Sequence, residues 1–214
     1  IHLGKYSYFF TTLCFLLFIN SSNMFDGINL QSGIFFFIFL TALIVLGAID
    51  FFILLIIISL ISFLILNSKG KIFMGDSGSY LLSLIASYFL INLYLLNQFI
   101  SPYFIVLLLW YPAYENLFSI LRKFNLGKSP IKPDNNHLHH LIMKFLKNHF
   151  RRNISNNLTS LIINSFNFVT IYLGYINIKN TQVQVLLILF NVIFYSFVYF
   201  HLYNSKKKQK NNLY

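Results

Sequence analysis

Three short stretches hold most of the residues able to do chemistry: "NSSNMFDGIN" over 20–29, "NSKGKIFMGDSGS" over 67–79 and "KSPIKPDNNHLHH" over 128–140. The chain has only five acidic residues, and Asp26, Asp76 and Asp134 lie in these stretches. Asp76 stands between Gly75 and Gly78, just ahead of an apolar run expected to be helical from about Ser79. Free N–H groups at a helix start favour phosphate. A carboxylate beside them can hold Mg²⁺, which takes one or two carboxylates and completes its shell with water and substrate phosphates. The plainer alternative is that Asp76 only caps the helix. Gly75-Asp76-Ser77-Gly78 also spells part of a serine-protease motif, but a protease needs a scaffold holding base and acid around the serine. The short alternating strands of a β-barrel protease are missing from this sequence.

In the first stretch Asn20, Asn23 and Asp26 recur every three residues, which places them roughly on one face of a helix end. Amides there could read a base or sugar edge, and Asp26 could share a metal or neutralise a lysine; a solvated Asp26-Gly27 turn is the plainer alternative. In the third stretch Leu138, Leu141, Ile142, Phe145 and Leu146 form an apolar stripe at helical spacing. That pattern puts His137, His140, Lys144 and Lys147 on the opposite face, with His139 near the boundary and Asp134 or Asn135 as cap after Pro133. Such a basic amphipathic helix suits a membrane surface. The histidines could ligate a transition metal, but His-x-His-His is no standard closed zinc pattern. Hydrogen bonding to phosphate or diphosphate near neutral pH suits them better.

These stretches separate long apolar runs. The chain is 57% hydrophobic and 10% charged, with mean hydropathy +0.68, against about 25% charged residues in soluble domains. A water-soluble globule is excluded. A crossing helix needs roughly 20 apolar residues, and seven runs approach this: 6–19, 30–46, 48–66, 80–96, 103–121, 158–178 and 183–203. The second and third are split only around Gly47 and Asp50, which implies a tight hairpin. The fold class is therefore all-α, a polytopic transmembrane bundle of about seven spans forming a single integral membrane domain over 1–214, with a surface histidine loop over 122–157. Glu115 falls inside the fifth run, where a carboxylate is costly unless it faces protein or water and is a functional candidate by default.

Seven spans put fourteen of the sixteen basic residues on one side, leaving Lys5 and Lys179 on the other. The positive-inside rule makes the basic side cytoplasmic, together with the three reactive stretches. The net charge of +11 then reads as topology and attraction to anionic headgroups, with no nucleic acid required. A lipid-phosphate binder or transporter is the rival class. Transporters tend to place polar groups at mid-membrane and to show internal repeats, and this chain shows neither.

"NSSNMFDG", "KIFMGDSGSYL", "YPAYENLFSILRK" and "SPIKPDNNHLHHLIMK", in this order, resemble the polyprenyl-phosphate N-acetylhexosamine-1-phosphate transferases, a branch of glycosyltransferase family 4. The resemblance runs over most of 1–147. "HLHH" is closer to the enzymes that initiate enterobacterial common antigen and O-antigen than to the phospho-MurNAc-pentapeptide type, which shows three contiguous histidines. It implies Mg²⁺ (or Mn²⁺) on Asp76, catalytic roles for Asp26, Asp76, His137, His139 and His140, and substrate binding by Asn20, Asn23, Asn67 and Lys71. The implied partners are a UDP-N-acetylhexosamine and a polyprenyl phosphate in the inner (cytoplasmic) membrane; a homodimer is one admissible assembly. Asn29 and Glu115 stand where the family has aspartates. The family's adjacent aspartate pair has no counterpart here, which on the resemblance places it upstream of Ile1, so the chain is expected to be the C-terminal part of a longer enzyme.

Overall fold

The computed structural model describes residues 6–97, 99–129 and 134–211. Among these no strand occurs, and eight helices follow one another: α1 (Ser7–Phe25), α2 (Gln31–Val45), α3 (Phe51–Asn67), α4 (Gly75–Leu96), α5 (Pro102–Asn125), α6 (Leu138–Leu146), α7 (Arg152–Ile176) and α8 (Thr181–Asn211). Each apolar run has become one helix, and the histidine stretch adds the short α6. Breaks fall where the backbone chemistry demands them. Gly47 takes φ +102° to turn the α2–α3 hairpin, and the Asp50 carboxylate accepts the Phe52 N–H to start α3. Ser101 caps α5 in the same way, with Pro102 at its first position, where a missing N–H costs nothing.

Five helices (α1, α4, α5, α7 and α8) are long and apolar enough to cross a membrane. The hairpin partners α2 and α3 have 15 and 17 residues, about 22 and 25 Å of helix against a hydrocarbon core of about 30 Å. Because they form one hairpin, their crossing together or not at all leaves the end of α1 and the start of α4 on the same side.

α1 packs on α4 and α5, α2 on α3, α4 and α7, and α8 on α5 and α6. Where α1, α2 and α5 meet, Phe25, Phe35, Phe36, Phe39 and Phe104 are fully enclosed, with Phe25 and Phe35 edge to face at 5.1 Å. A second aromatic seam joins Tyr111, Tyr114 and Phe118 of α5 to Tyr195 and Tyr199 of α8. The outward faces carry exposed leucine, isoleucine and phenylalanine, with Cys14 among them on α1. This distribution suits a lipid surround.

Candidate active site at one end of the bundle

The last turn of α1 and the first turn of α4 meet at one end. Asn23 Nδ2 donates to Asp76 Oδ1 at 2.8 Å, 53 residues away in sequence. Asp26, the C-cap of α1, accepts from Ser32 Oγ and from the Gly75 N–H. Burial pushes the Asp26 carboxyl above its usual value, and the Asp76 charge adds to this, while the two hydrogen bonds oppose it. Asp76 itself is exposed. Helix α4 starts at Gly75, a turn earlier than Ser79 suggested, because Gly75 adopts φ +66° as the entry residue and the two-glycine string reads locally as loop. Asp76 therefore sits inside the first turn, beside the free N–H groups, and not ahead of them.

Two devices hold the Asp26 loop in place. Asn67 is buried, and its amide is spent on backbone at both ends: Oδ1 accepts the Leu30 N–H at 2.6 Å, and Nδ2 donates to Ile72 O at 2.7 Å. Leu30 stands at φ +69°, a conformation costly for a branched side chain, and the Asn67 bond helps hold it there. Asn67, expected to bind substrate, is here a fastener of the loop. The second device is α7. Asn156 Oδ1 accepts the Asn29 N–H, Ser160 Oγ donates to Asn29 O, Asn164 Nδ2 donates to Gln31 O, and Asn157 Nδ2 donates to Ser68 O. As an apolar span α7 gave no hint of a role. Its signal was a buried polar stripe, Ser155, Thr159, Ser160, Asn164 and Asn167, at helical spacing. Asn20, one turn before Asn23, and Lys71, between α3 and α4, are exposed near these loops.

The histidine arm lies differently from its sequence pattern. His137 is the N-cap of α6, so neither Asp134 nor Asn135 is, and Pro133 lies outside the described residues. His137 turns inward: Nδ1 is 2.9 Å from Glu115 Oε1, and Nε2 is 3.7 Å from Asp134 Oδ1. It does not share an outer face with Lys144 and Lys147, which are exposed. A buried acid on α5 outweighs helical periodicity here. Asp134 is gripped by the Arg122 guanidinium at 2.6 and 3.0 Å; burial works against its ionisation, yet Arg122 holds the carboxyl well below the usual range. Phe145, expected in the apolar stripe, is half exposed.

His139, expected near a boundary, is fully enclosed. Burial drives its pKa down to about 3, with His140 and His137 adding to this against the pull of Glu115. Burial thus favours the neutral ring, and among the described residues neither nitrogen has a hydrogen-bond partner. It stacks on His137 at 5.5 Å, lies 4.3 Å from His140, and faces Gly27 so closely that a Cβ there would come within 2.5 Å of Nε2. His140 is half-buried, its pKa also lowered by burial and by His137. The arm thus covers the Asp26-Gly27 turn, and two carboxylates, one amide and neutral imidazoles share one end of the bundle.

Two carboxylates and an amide fit a hard cation that completes its shell with water and substrate phosphate. Among the described residues no three or more of His, Cys, Asp and Glu are grouped to hold a metal alone. An apolar cavity of about 580 Å³ between α2 and α7 lies apart from this chemistry, sharing with it only Asn164.

Residues 1–94 match the family model described as Glycosyl transferase family 4. The chain is 31% identical over 172 residues to the undecaprenyl-phosphate alpha-N-acetylglucosaminyl 1-phosphate transferase of Thermotoga maritima, covering 77% of this chain and 50% of that protein. It is 35% identical over 95 residues to the decaprenyl-phosphate N-acetylglucosaminephosphotransferase of Mycolicibacterium smegmatis, covering 39% of this chain and 23% of the relative. With the undecaprenyl-phosphate alpha-N-acetylglucosaminyl 1-phosphate transferase of Escherichia coli K12 it shares 29% over 154 residues, 66% of this chain and 42% of the relative. The chain spans half or less of the length of these relatives. No solved structure matches it.

Proposed function

We propose that this glycosyl transferase family 4 chain moves a HexNAc 1-phosphate from a UDP-sugar to a polyprenyl phosphate and releases UMP. The observation that carries the reading is the meeting of Asn23, Asp26 and Asp76 beneath the histidine arm. A lipid phosphate oxygen attacks the sugar-bearing β-phosphorus, the bond from that phosphorus to the bridging oxygen breaks, and UMP leaves with that oxygen. Phosphoryl transfer asks the protein mainly for charge neutralisation and positioning. Asp76 and Asp26 would hold Mg²⁺, which supplies neutralisation of the diphosphate. Half-buried His140 would hydrogen-bond phosphate oxygens, with enclosed His139 seating the arm on the Asp26-Gly27 turn, and the α4 N-terminus adds its free N–H groups. Exposed Lys71 and Asn20 and half-buried Asn23 line the approach. The relatives' names favour a simple N-acetylhexosamine over the peptidoglycan-type donor. The test is incorporation of labelled sugar phosphate from UDP-N-acetylglucosamine into polyprenyl phosphate by membranes carrying the full-length protein. UMP release without labelled lipid would refute the transfer.

The same reading places seven spans in the cytoplasmic membrane, with the site on the cytoplasmic side. Its support is the 14-to-2 basic asymmetry and the parity that the α2–α3 hairpin preserves. Single cysteines at Asn148 and Asn204, with Cys14 replaced by serine, should stay unlabelled by an impermeant reagent added to intact cells. Labelling of either one from outside would reverse the orientation.

A further inference from the structure

Glu115 takes no part in the chemistry above, yet it is the most enclosed carboxylate among the described residues, 2% exposed. A buried charge is tolerated only when its lone pairs are satisfied. Three donors from two other elements do this. His137 Nδ1 and the Leu138 N–H meet Oε1 at 2.9 and 3.1 Å, and the Tyr195 hydroxyl donates to Oε2 at 2.7 Å. Among the described residues, the N-cap residue of α6, His137, gives that helix no side-chain cap. A glutamate from α5 supplies that cap instead, with a negative charge at the helix start.

We infer that Glu115 is the positioning residue of the histidine arm, with Tyr195 of α8 as its second anchor. The inference rests on the transferase reading. By accepting the Nδ1–H, Glu115 sets one ring orientation and one tautomer for His137 and leaves its Nε2 toward Asp134. Through the Leu138 N–H it fixes the register at which α6 begins. His139 is the next residue, and its ring lies parallel to His137 within 13°, so an error at Glu115 passes directly to the imidazole over Gly27. Helix α8 braces the arm at a second depth as well: Lys206 Nζ reaches Asn136 Oδ1 at 2.6 Å and Asn135 O at 3.4 Å. Glu115 is therefore a junction of α5, α6 and α8, acting through its neighbours without touching substrate.

The experiment is a double-mutant cycle in the full-length protein, reading kcat and KM for UDP-N-acetylglucosamine and lipid phosphate. Glu115→Gln should lower kcat roughly 10- to 100-fold, the worth of a hydrogen bond to a charged group, with KM changed less than about twofold. Tyr195→Phe removes one oxygen and keeps the ring stack, and should cost about threefold to tenfold in kcat. In a His137→Ala background both further losses should shrink severalfold, because only the Leu138 N–H contact is left for Glu115 to position. Losses that simply add would mark Glu115 as a general stabiliser and overturn the inference, as would wild-type kcat in Tyr195→Phe. A readout independent of transfer is the ¹⁵N spectrum of His137: one tautomer protonated on Nδ1 in the wild type, a mixture in Tyr195→Phe and Glu115→Gln. If wild-type protein transfers nothing, the functional reading falls while this spectrum still decides the positioning. An unchanged spectrum in both variants would end it.

Discussion

Asp76→Asn is expected to lower sugar-phosphate transfer by about 100- to 1000-fold, the usual loss when a group stabilising transition-state charge is removed. The side chain is exposed, so the substitution leaves no hole. An asparagine can still accept the Asn23 N–H through its own oxygen, and among the described residues Asn23 Nδ2 is the one side-chain donor to Asp76. What disappears is the negative charge beside Asp26 at the start of α4. Wild-type transfer should stop in EDTA and return with Mg²⁺ or Mn²⁺, whereas the variant should stay low at every metal concentration. Its melting temperature should match the wild type. Near-normal transfer by Asp76→Asn at saturating Mg²⁺ would remove Asp76 from any metal-holding role.

Gly27→Ala should be nearly as damaging, for a reason of space alone. The new methyl would lie 2.5 Å from His139 Nε2, 3.2 Å from Cδ2 and 3.4 Å from Cε1. His139 cannot yield freely, being fully enclosed and wedged between His137 and His140. Either the ring is displaced or α6 lifts from the turn. Overpacking of this kind costs about 1–3 kcal/mol of stability, so a fall of a few degrees in melting temperature is expected. A misplacement of about 1 Å at a catalytic group can cost around 100-fold in rate, and that is the expected loss in kcat. Combining Gly27→Ala with His139→Ala removes the clash, and the pair should be no slower than His139→Ala alone. Full activity in the single variant would show that the arm does not need its seat on Gly27.

The elements were legible because membrane helices announce themselves by length. Every apolar run became a helix, and the pause at Gly47 and Asp50 became a turn with a glycine at positive φ and an aspartate cap. Asp26, Asp76 and the histidines could be singled out because polar groups are scarce in such a chain. Their orientation could not. Periodicity sorts residues by face, but it cannot see a partner on a distant helix, and Glu115 turned His137 inward against the α6 pattern. Asn67 was singled out only through the family resemblance, and the sequence could not show its two backbone partners, Leu30 and Ile72, which come from different loops. The stripe on α7 was hidden by the high average apolarity of its span, although its spacing was there to be counted.

The fastening of the Asp26 loop by α7 also sets an order of events at the ribosome. Ser160 follows its partner Asn29 by 131 residues, and Asn164 follows Gln31 by 133. At roughly 5–20 residues per second, the loop emerges on the order of ten seconds before the helix that secures it. During that interval Asn67, 37 residues downstream of Leu30, is the one early fastener among these contacts. Tyr195 comes later still, 80 residues after Glu115. A nascent chain halted after α6 would therefore carry both carboxylates and all three histidines, with the loop loose and the arm braced from one side. The Asp26 loop is therefore fully fastened only once α7 has emerged, and the arm is braced from both sides only once α8 has followed.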